Sequence, residues 1–187
     1  MNMDGKLSQK TISRAYPAKI IVDIAEFILL AGIGAAGVLI HAYLRVPLKL
    51  PGHHGIIYMA LLLSGRLISS KKFASSYSSI GAAMMLLIPL GFKDPFIPVI
   101  YLFPGFIVDV FYNKVSAVSS KVLLMAVVCG LAYMTIPITR IVIVLFTGIH
   151  FGSFAMGFLF PLVMHFIFGF AGGLIPAGVS FFTKKKK

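Results

Sequence analysis

Long apolar runs alternate with short polar connections along almost the whole chain. A helix needs about 20 residues to cross ~30 Å of hydrocarbon, and its backbone polar groups are satisfied internally. Because some runs are shorter and some longer than this, the pattern predicts tilted and kinked spans rather than matched rods. We place six spans, at residues 20–43, 55–68, 77–92, 96–112, 122–146 and 151–182.

The composition excludes an ordinary soluble domain. Of the 187 residues, 59% are hydrophobic and 12% are charged, whereas a typical soluble domain has about 25% charged residues. The sequence therefore predicts an all-α polytopic membrane protein, with a six-transmembrane-helix bundle at residues 20–183. The single cysteine, Cys129, lies in an apolar run, so a disulfide within the chain is impossible.

The basic residues predict the orientation of the chain in the membrane. All but four of the 17 Lys and Arg residues fall in the arm at 1–19, the second and fourth connections and the tail at 184–187. Cytoplasmic connections carry such an excess, so we expect both termini on the cytoplasmic side of a plasma or inner membrane. This distribution accounts for the net charge of +12 without a nucleic-acid partner.

Most of the other ionisable residues are predicted at the outward end. They are His41, Arg45, Lys49, His53, His54, Lys93, Asp94, Arg140 and His150. Arg140 follows Pro137 inside an apolar run, where an unpaired guanidinium is unfavourable. It either extends to the outer headgroups or faces a cavity and meets an anionic group. Asp94 is a candidate partner, and that pair would be structural.

The sequence does not favour a metal centre or an enzyme. Four histidines are predicted near the outward face, but their spacings match no strong metal motif, and no carboxylate or cysteine lies at ligand spacing. His165 stands alone in an apolar helix, which favours a hydrogen bond within the bundle. For the acidic residues near the cytoplasmic end, Asp23, Glu26 and Asp109, we expect either solvation at the interface or pairing with Lys and Arg. We find no catalytic set and no nucleotide-binding loop.

Two helices carry small residues at a spacing of four. The first helix has Ala31 and Ala35, and the last has Gly169 and Gly173. Such stripes allow close helix approach in membranes. Packing within the chain explains either stripe alone, and a partner helix is the other possibility.

The overall layout resembles the substrate-binding S components of energy-coupling-factor (ECF) vitamin transporters. The shared features are the chain length, six spans, cytoplasmic termini, an A-x-x-x-A first helix and an outward Pro-rich loop. The stretch VPLKLPGHHGIIYMALLLSGRL, residues 46–67, is similar to the Pro-rich loop and second helix of the biotin-type members.

This resemblance implies a binding subunit rather than an enzyme. Ala31 and Ala35 would dock onto a transmembrane coupling subunit, and two cytoplasmic ATPases on other chains would hydrolyse ATP, so this chain would need no cofactor. Family ligands are vitamins, their precursors or metal ions. The metal-ion members have a histidine directly after the initiating methionine, whereas this chain begins with Met1 and Asn2.

We therefore expect the loop at 45–55 to close over a small anionic solute. The residues assigned to this site are Arg45, Lys49, His53, His54, Asp94, Tyr101, Arg140 and His150. The main alternative is a self-sufficient homo-oligomeric transporter or channel. A membrane-embedded enzyme or assembly factor and a scaffold without a ligand are further alternatives.

Overall fold

The structure is a computed structural model that describes residues 4–44, 50–92, 94–115 and 121–184, with side chains described from residue 19 to residue 183 within these ranges. Every regular element in the described ranges is helical. The helices are α1 (Asp4–Tyr43), α2 (Gly55–Ile68), α3 (Ala74–Leu86), α4 (Ile97–Ile100), α5 (Leu102–Lys114), α6 (Val122–Thr147) and α7 (Leu159–Lys184), with a 3₁₀ turn at Gly152–Phe154.

Among the described residues, three segments are long and apolar enough to cross a membrane: Lys19–Tyr43, Val122–Thr147 and Leu159–Thr183. Helix α2 is apolar but shorter, at 14 residues. The chain is therefore an all-helical membrane protein. The full set of six spans stays a prediction.

The helices end earlier than hydropathy predicts where proline or glycine intervenes. The third predicted span continues to residue 92, but α3 ends at Leu86, before Pro89 and a glycine, Gly91, with φ of 87°. The fourth is divided at Tyr101 into α4 and α5, and Pro104 cannot donate to the carbonyl of Ile100. The last predicted span also differs at its start, because the helix begins at Leu159 rather than at residue 151.

Close approach between helices depends on glycines. A Cβ on Gly81 of α3 would lie 2.0 Å from the Ala31 carbonyl oxygen in α1. A Cβ on Gly173 of α7 would lie 2.6 Å from Cβ of Cys129 in α6, and one on Gly169 would meet Tyr133 at 2.7 Å. The stripe in α7 therefore packs within the chain, and Ala31 contacts α3. Ala35 is half-buried.

An ionic network ties α1, α2, α3 and α5 together at one end of the bundle. The buried carboxylate of Asp109 accepts hydrogen bonds from the backbone N–H of Ser75 (3.1 Å) and Ser76 (2.7 Å) at the start of α3. Arg66 Nε lies 3.6 Å from Asp109 Oδ1. Lys71 pairs with Asp23, which raises the pKa of the lysine.

Glu26 also lies near Lys71, at 3.8 Å between Nζ and Oε2. The acidic residues at this end therefore pair with Lys and Arg, which is one of the two alternatives that the sequence left open. This end of the bundle is fastened by side chains from four helices.

Candidate functional site

A cavity of about 460 Å³ lies at the opposite end of the bundle from the Asp109 network. Its wall combines six segments: α1, the loop before α2, the α3–α4 connection continuing through α4 to Tyr101, α6, the 3₁₀ turn and α7. The polar and aromatic lining residues are His41, His53, His54, Phe92, Asp94, Tyr101, Tyr133, Arg140, Ser153 and His165. The size falls within the range of small-molecule sites.

The cavity brings together most of the site residues that the sequence predicted. His53, His54, Asp94, Tyr101 and Arg140 all line it. His150 does not: it is exposed and borders a neighbouring apolar pocket with Phe151 and Phe158. Arg45 and Lys49 lie outside the described residues.

Arg140 and Asp94 form an ion pair at the cavity wall. Arg140 donates to Asp94 Oδ2 from Nη2 (2.8 Å) and from Nε (3.0 Å). The other oxygen of Asp94 accepts from the backbone N–H of Phe96 at 3.0 Å. The two side chains are 17% and 13% exposed. The arginine therefore faces a carboxylate within the chain, which is the structural alternative that the sequence left open.

Three histidine rings lie in a row along another wall, with His41 stacked on His54 and His53 tilted against it. The ring centroids of His41 and His54 are 3.7 Å apart, and those of His54 and His53 are 3.8 Å apart. Burial, together with the neighbouring His53, lowers the pKa of His54 to about 4. His54 is therefore neutral near pH 7. Phe92 meets His41 edge-on at 5.1 Å.

Hydrogen bonds fix the tautomers of two cavity histidines. His53 Nδ1 lies 2.7 Å from the Leu50 carbonyl oxygen, and His165 Nδ1 lies 2.7 Å from that of Pro161. A carbonyl only accepts, so Nδ1 carries a proton in both rings, and Nε2 is the acceptor nitrogen of this tautomer. The expected hydrogen bond of His165 within the bundle is thus present.

Aromatic rings complete the wall between α5, α6 and α7. Tyr133 stacks on His165 with centroids 4.9 Å apart. Tyr101 is buried and is held from behind by the Tyr58 hydroxyl, which donates to its carbonyl at 3.1 Å. These rings are fixed by packing before any solute arrives, which favours recognition without rearrangement.

Sequence reasoning did not assign Tyr133, His165, Phe92 or Ser153 to the site. Tyr133 and Arg140 are seven residues apart on α6, so they share a helix face. That spacing was the available signal. His165 gave no comparable signal, because its position opposite Tyr133 depends on the packing of α7 against α6.

The arrangement of the lining side chains limits what the cavity can hold. Within the described ranges, no group of three or more His, Cys, Asp or Glu residues is arranged to hold a metal ion. The histidine rings present their faces to one another, so their nitrogens do not converge. Flat walls with a few polar atoms suit a small polar solute.

Comparison of the chain with protein-family models, with curated proteins and with solved structures finds no match in any of the three. Function is therefore inferred from the residues of the site.

Proposed function

We propose that this chain is the solute-binding membrane subunit of an ATP-driven uptake transporter, of the kind represented by ECF S components. The solute is small, polar and vitamin-like. The observation that carries the proposal is the cavity of about 460 Å³, where residues from six separate segments converge at one end of an apolar bundle.

The character of the cavity wall supports binding. His53, His54, Tyr101 and Arg140 come from distant parts of the sequence, and polar groups of this kind are unfavourable in a membrane unless they serve a function. The aromatic wall provides contact area, while the nitrogens and hydroxyls provide orientation.

The distribution of charge supports the direction of transport. In the proposed six-span topology the Asp109 network and both termini are cytoplasmic, as the excess of Lys and Arg there favours. The cavity then lies at the outward end, where a solute enters from outside the cell.

Energy coupling comes from partners. The resemblance implies a transmembrane coupling subunit and two cytoplasmic ATPases. Helix α1 would dock onto the coupling subunit around Ala31 and Ala35. Gly32, between them, is exposed, and a Cβ added there would have no atom of this chain within 4 Å. This face of α1 therefore has room for a close partner helix.

Affinity purification of the tagged chain from its native membrane in mild detergent tests the proposal. We expect a second polytopic subunit and two ATPases to co-elute, as identified by mass spectrometry. Repeated recovery of the chain alone, as a homo-oligomer, would contradict the proposal and favour a self-sufficient transporter or channel.

A further inference from the structure

Unpartnered polar atoms concentrate at the cavity. Only three buried side-chain polar atoms in the described residues have no hydrogen-bond partner: His53 Nε2, Ser153 Oγ and Arg66 Nε. Arg66 Nε belongs to the ionic network at the other end, 3.6 Å from Asp109 Oδ1. The other two belong to residues that line the cavity. Buried polar atoms are normally satisfied, so these two point to a bound solute.

The unpartnered nitrogen of His53 is an acceptor. Its ring is held by the Nδ1–H bond to Leu50, and in this tautomer the lone pair is at Nε2. His165 has the same tautomer and lines the same cavity. His53 Nε2 therefore needs a hydrogen-bond donor, which a carboxylate or phosphate group does not supply.

The charge of Arg140 is already balanced. The sequence favoured an anionic solute because of Lys49 and Arg140, but Lys49 lies outside the described residues and Arg140 is paired with Asp94 at 2.8 Å. The pair uses Nε and Nη2 of the guanidinium. Nη1 takes no part in it and can donate to a neutral carbonyl or ring nitrogen.

The walls favour a flat molecule. The His54 ring already lies between those of His41 and His53, and Tyr133 already stacks on His165, so a planar solute extends these rows of rings at their ends and edges. Aromatic and imidazole faces stack favourably on other planar rings.

From these observations we infer that the cavity binds an uncharged planar heterocycle, which donates a hydrogen bond from a ring or exocyclic N–H to His53 Nε2. Ser153 and Arg140 bind the acceptor atoms of the same ring. This inference rests on the proposed solute-binding function and specifies its substrate class.

Calorimetric titration of the purified, detergent-solubilised chain tests this class with three matched pairs of probes. The neutral donors are uracil, nicotinamide and pterin, and their anionic counterparts are orotate, nicotinate and pterin-6-carboxylate. We expect at least one neutral probe to bind at least tenfold more tightly than its carboxylate at pH 7.5. Tighter binding of the carboxylate in every pair, or no binding of any probe, would overturn the inference.

Two substitutions at His53 distinguish loss of the hydrogen-bond acceptor from a general disturbance of the fold. His53→Asn places an amide N–H where Nδ1 is, so it keeps the bond to Leu50 but has no acceptor at Nε2. His53→Gln places its amide oxygen near Nε2 and keeps the acceptor. We expect His53→Asn to lower the affinity for the best neutral probe about tenfold, as loss of one buried hydrogen bond does. We expect His53→Gln to retain most of that affinity. Equal losses in both variants would contradict a role for the lone pair.

The two proposals fail in different ways. Binding of a neutral probe by a chain that co-purifies with no ATPase would leave the substrate class in place and remove the transporter assignment. Co-purification of the coupling subunit and ATPases with a chain that binds only carboxylates would support the transporter assignment and contradict the substrate class.

Discussion

Arg140 places two hydrogen bonds on one oxygen of Asp94, 2.8 Å from Nη2 and 3.0 Å from Nε. The second oxygen caps the backbone N–H of Phe96 just before α4. The pair thus joins α6 to the α3–α4 connection and fixes one wall of the cavity. It accounts for an arginine inside an apolar run without requiring it to reach the headgroups.

Replacing Asp94 with Asn should destabilise the protein, because it leaves the guanidinium of Arg140 without its counter-ion. Loss of one partner of a fully buried pair costs about 3–5 kcal/mol; since both side chains are partly exposed, we expect about 1–3 kcal/mol here. The measurement is the melting temperature in detergent.

The double variant Asp94→Asn with Arg140→Gln is the matched control. It removes both charges, so it should be more stable than Asp94→Asn alone. A double variant that melts below the single variant would contradict this account of the pair.

Gly81 lies at a close contact between α3 and α1, so Gly81→Ala should be destabilising. The new Cβ would lie 2.0 Å from a backbone oxygen of Ala31, and the helices would have to separate. Overpacking of this kind costs about 1–3 kcal/mol. Equilibrium unfolding in a denaturing detergent measures the change.

Gly178→Ala in α7 is the control for that substitution. A Cβ at Gly178 has no neighbour within 4 Å, and alanine is better than glycine in a helix by about 0.5–1 kcal/mol. We expect a neutral or stabilising effect. Similar losses at both glycines would mean that the α1–α3 contact does not determine the result.

Hydropathy predicted α2 at its observed bounds, because Gly55 and Ser69 interrupt the apolar pattern at both ends. It overextended α3, because residues 87–92 are apolar while Pro89 and the left-handed Gly91 stop the helix. Mean hydropathy reports burial in lipid and is insensitive to these backbone constraints.

The site was predictable where a residue was out of place for its surroundings. Arg140 and Asp94 were identified because charge in an apolar chain requires a partner. Tyr133 and His165 are compatible with ordinary helix packing, and only the contact between α6 and α7 stacks them. The tautomers of His53 and His165 depend on carbonyls of Leu50 and Pro161, which sequence does not place in space.

Replacing Asp109 with Asn should be strongly destabilising, because its carboxylate accepts from two backbone N–H groups and one hydroxyl at the start of α3. An amide turns one acceptor into a donor that faces those donors. A buried polar mismatch of this kind costs about 1–3 kcal/mol, and unfolding in a denaturing detergent measures it.

Asp23→Asn removes the same charge from the same end of the bundle. Asp23 is 44% exposed and its partner Lys71 is 33% exposed, so we expect no measurable change. A loss at Asp23 equal to the loss at Asp109 would show that net charge, rather than burial, determines stability there.

Stability should fall as the pH is lowered from 6.5 towards 4, in part because of His54. The pKa of His54 is about 4 in the folded protein, whereas the ordinary value for histidine, which applies to the unfolded chain, is 6.5. Between these values the unfolded chain binds a proton that the folded chain does not, so unfolding is favoured as the pH falls. The groups facing His54 are the rings of His41 and His53, with Arg140 and Asp94 across the cavity.

His54→Phe keeps the flat ring and removes the titrating nitrogens. The melting temperature of this variant should decrease less between pH 6.5 and 4 than that of the wild type, while the two curves run parallel above pH 7. Parallel curves over the whole range would show that His54 is protonated equally in both states.

Gly32→Leu should impair assembly with the partner subunit without affecting the folding of this chain. Gly32 is exposed on α1 between Ala31 and Ala35, and a Cβ there meets no atom of this chain within 4 Å. A leucine therefore adds bulk only to the outer surface, and it would hold a partner helix away from the small-residue stripe. We expect a wild-type melting temperature together with at least a tenfold loss of the co-purifying coupling subunit, measured by quantitative mass spectrometry.

Gly178→Leu, at the other open helix position, is the control and should assemble normally. Assembly of the Gly32→Leu variant at wild-type levels would remove this face of α1 as the docking surface, and a loss in both variants would show that added surface bulk alone disrupts the complex.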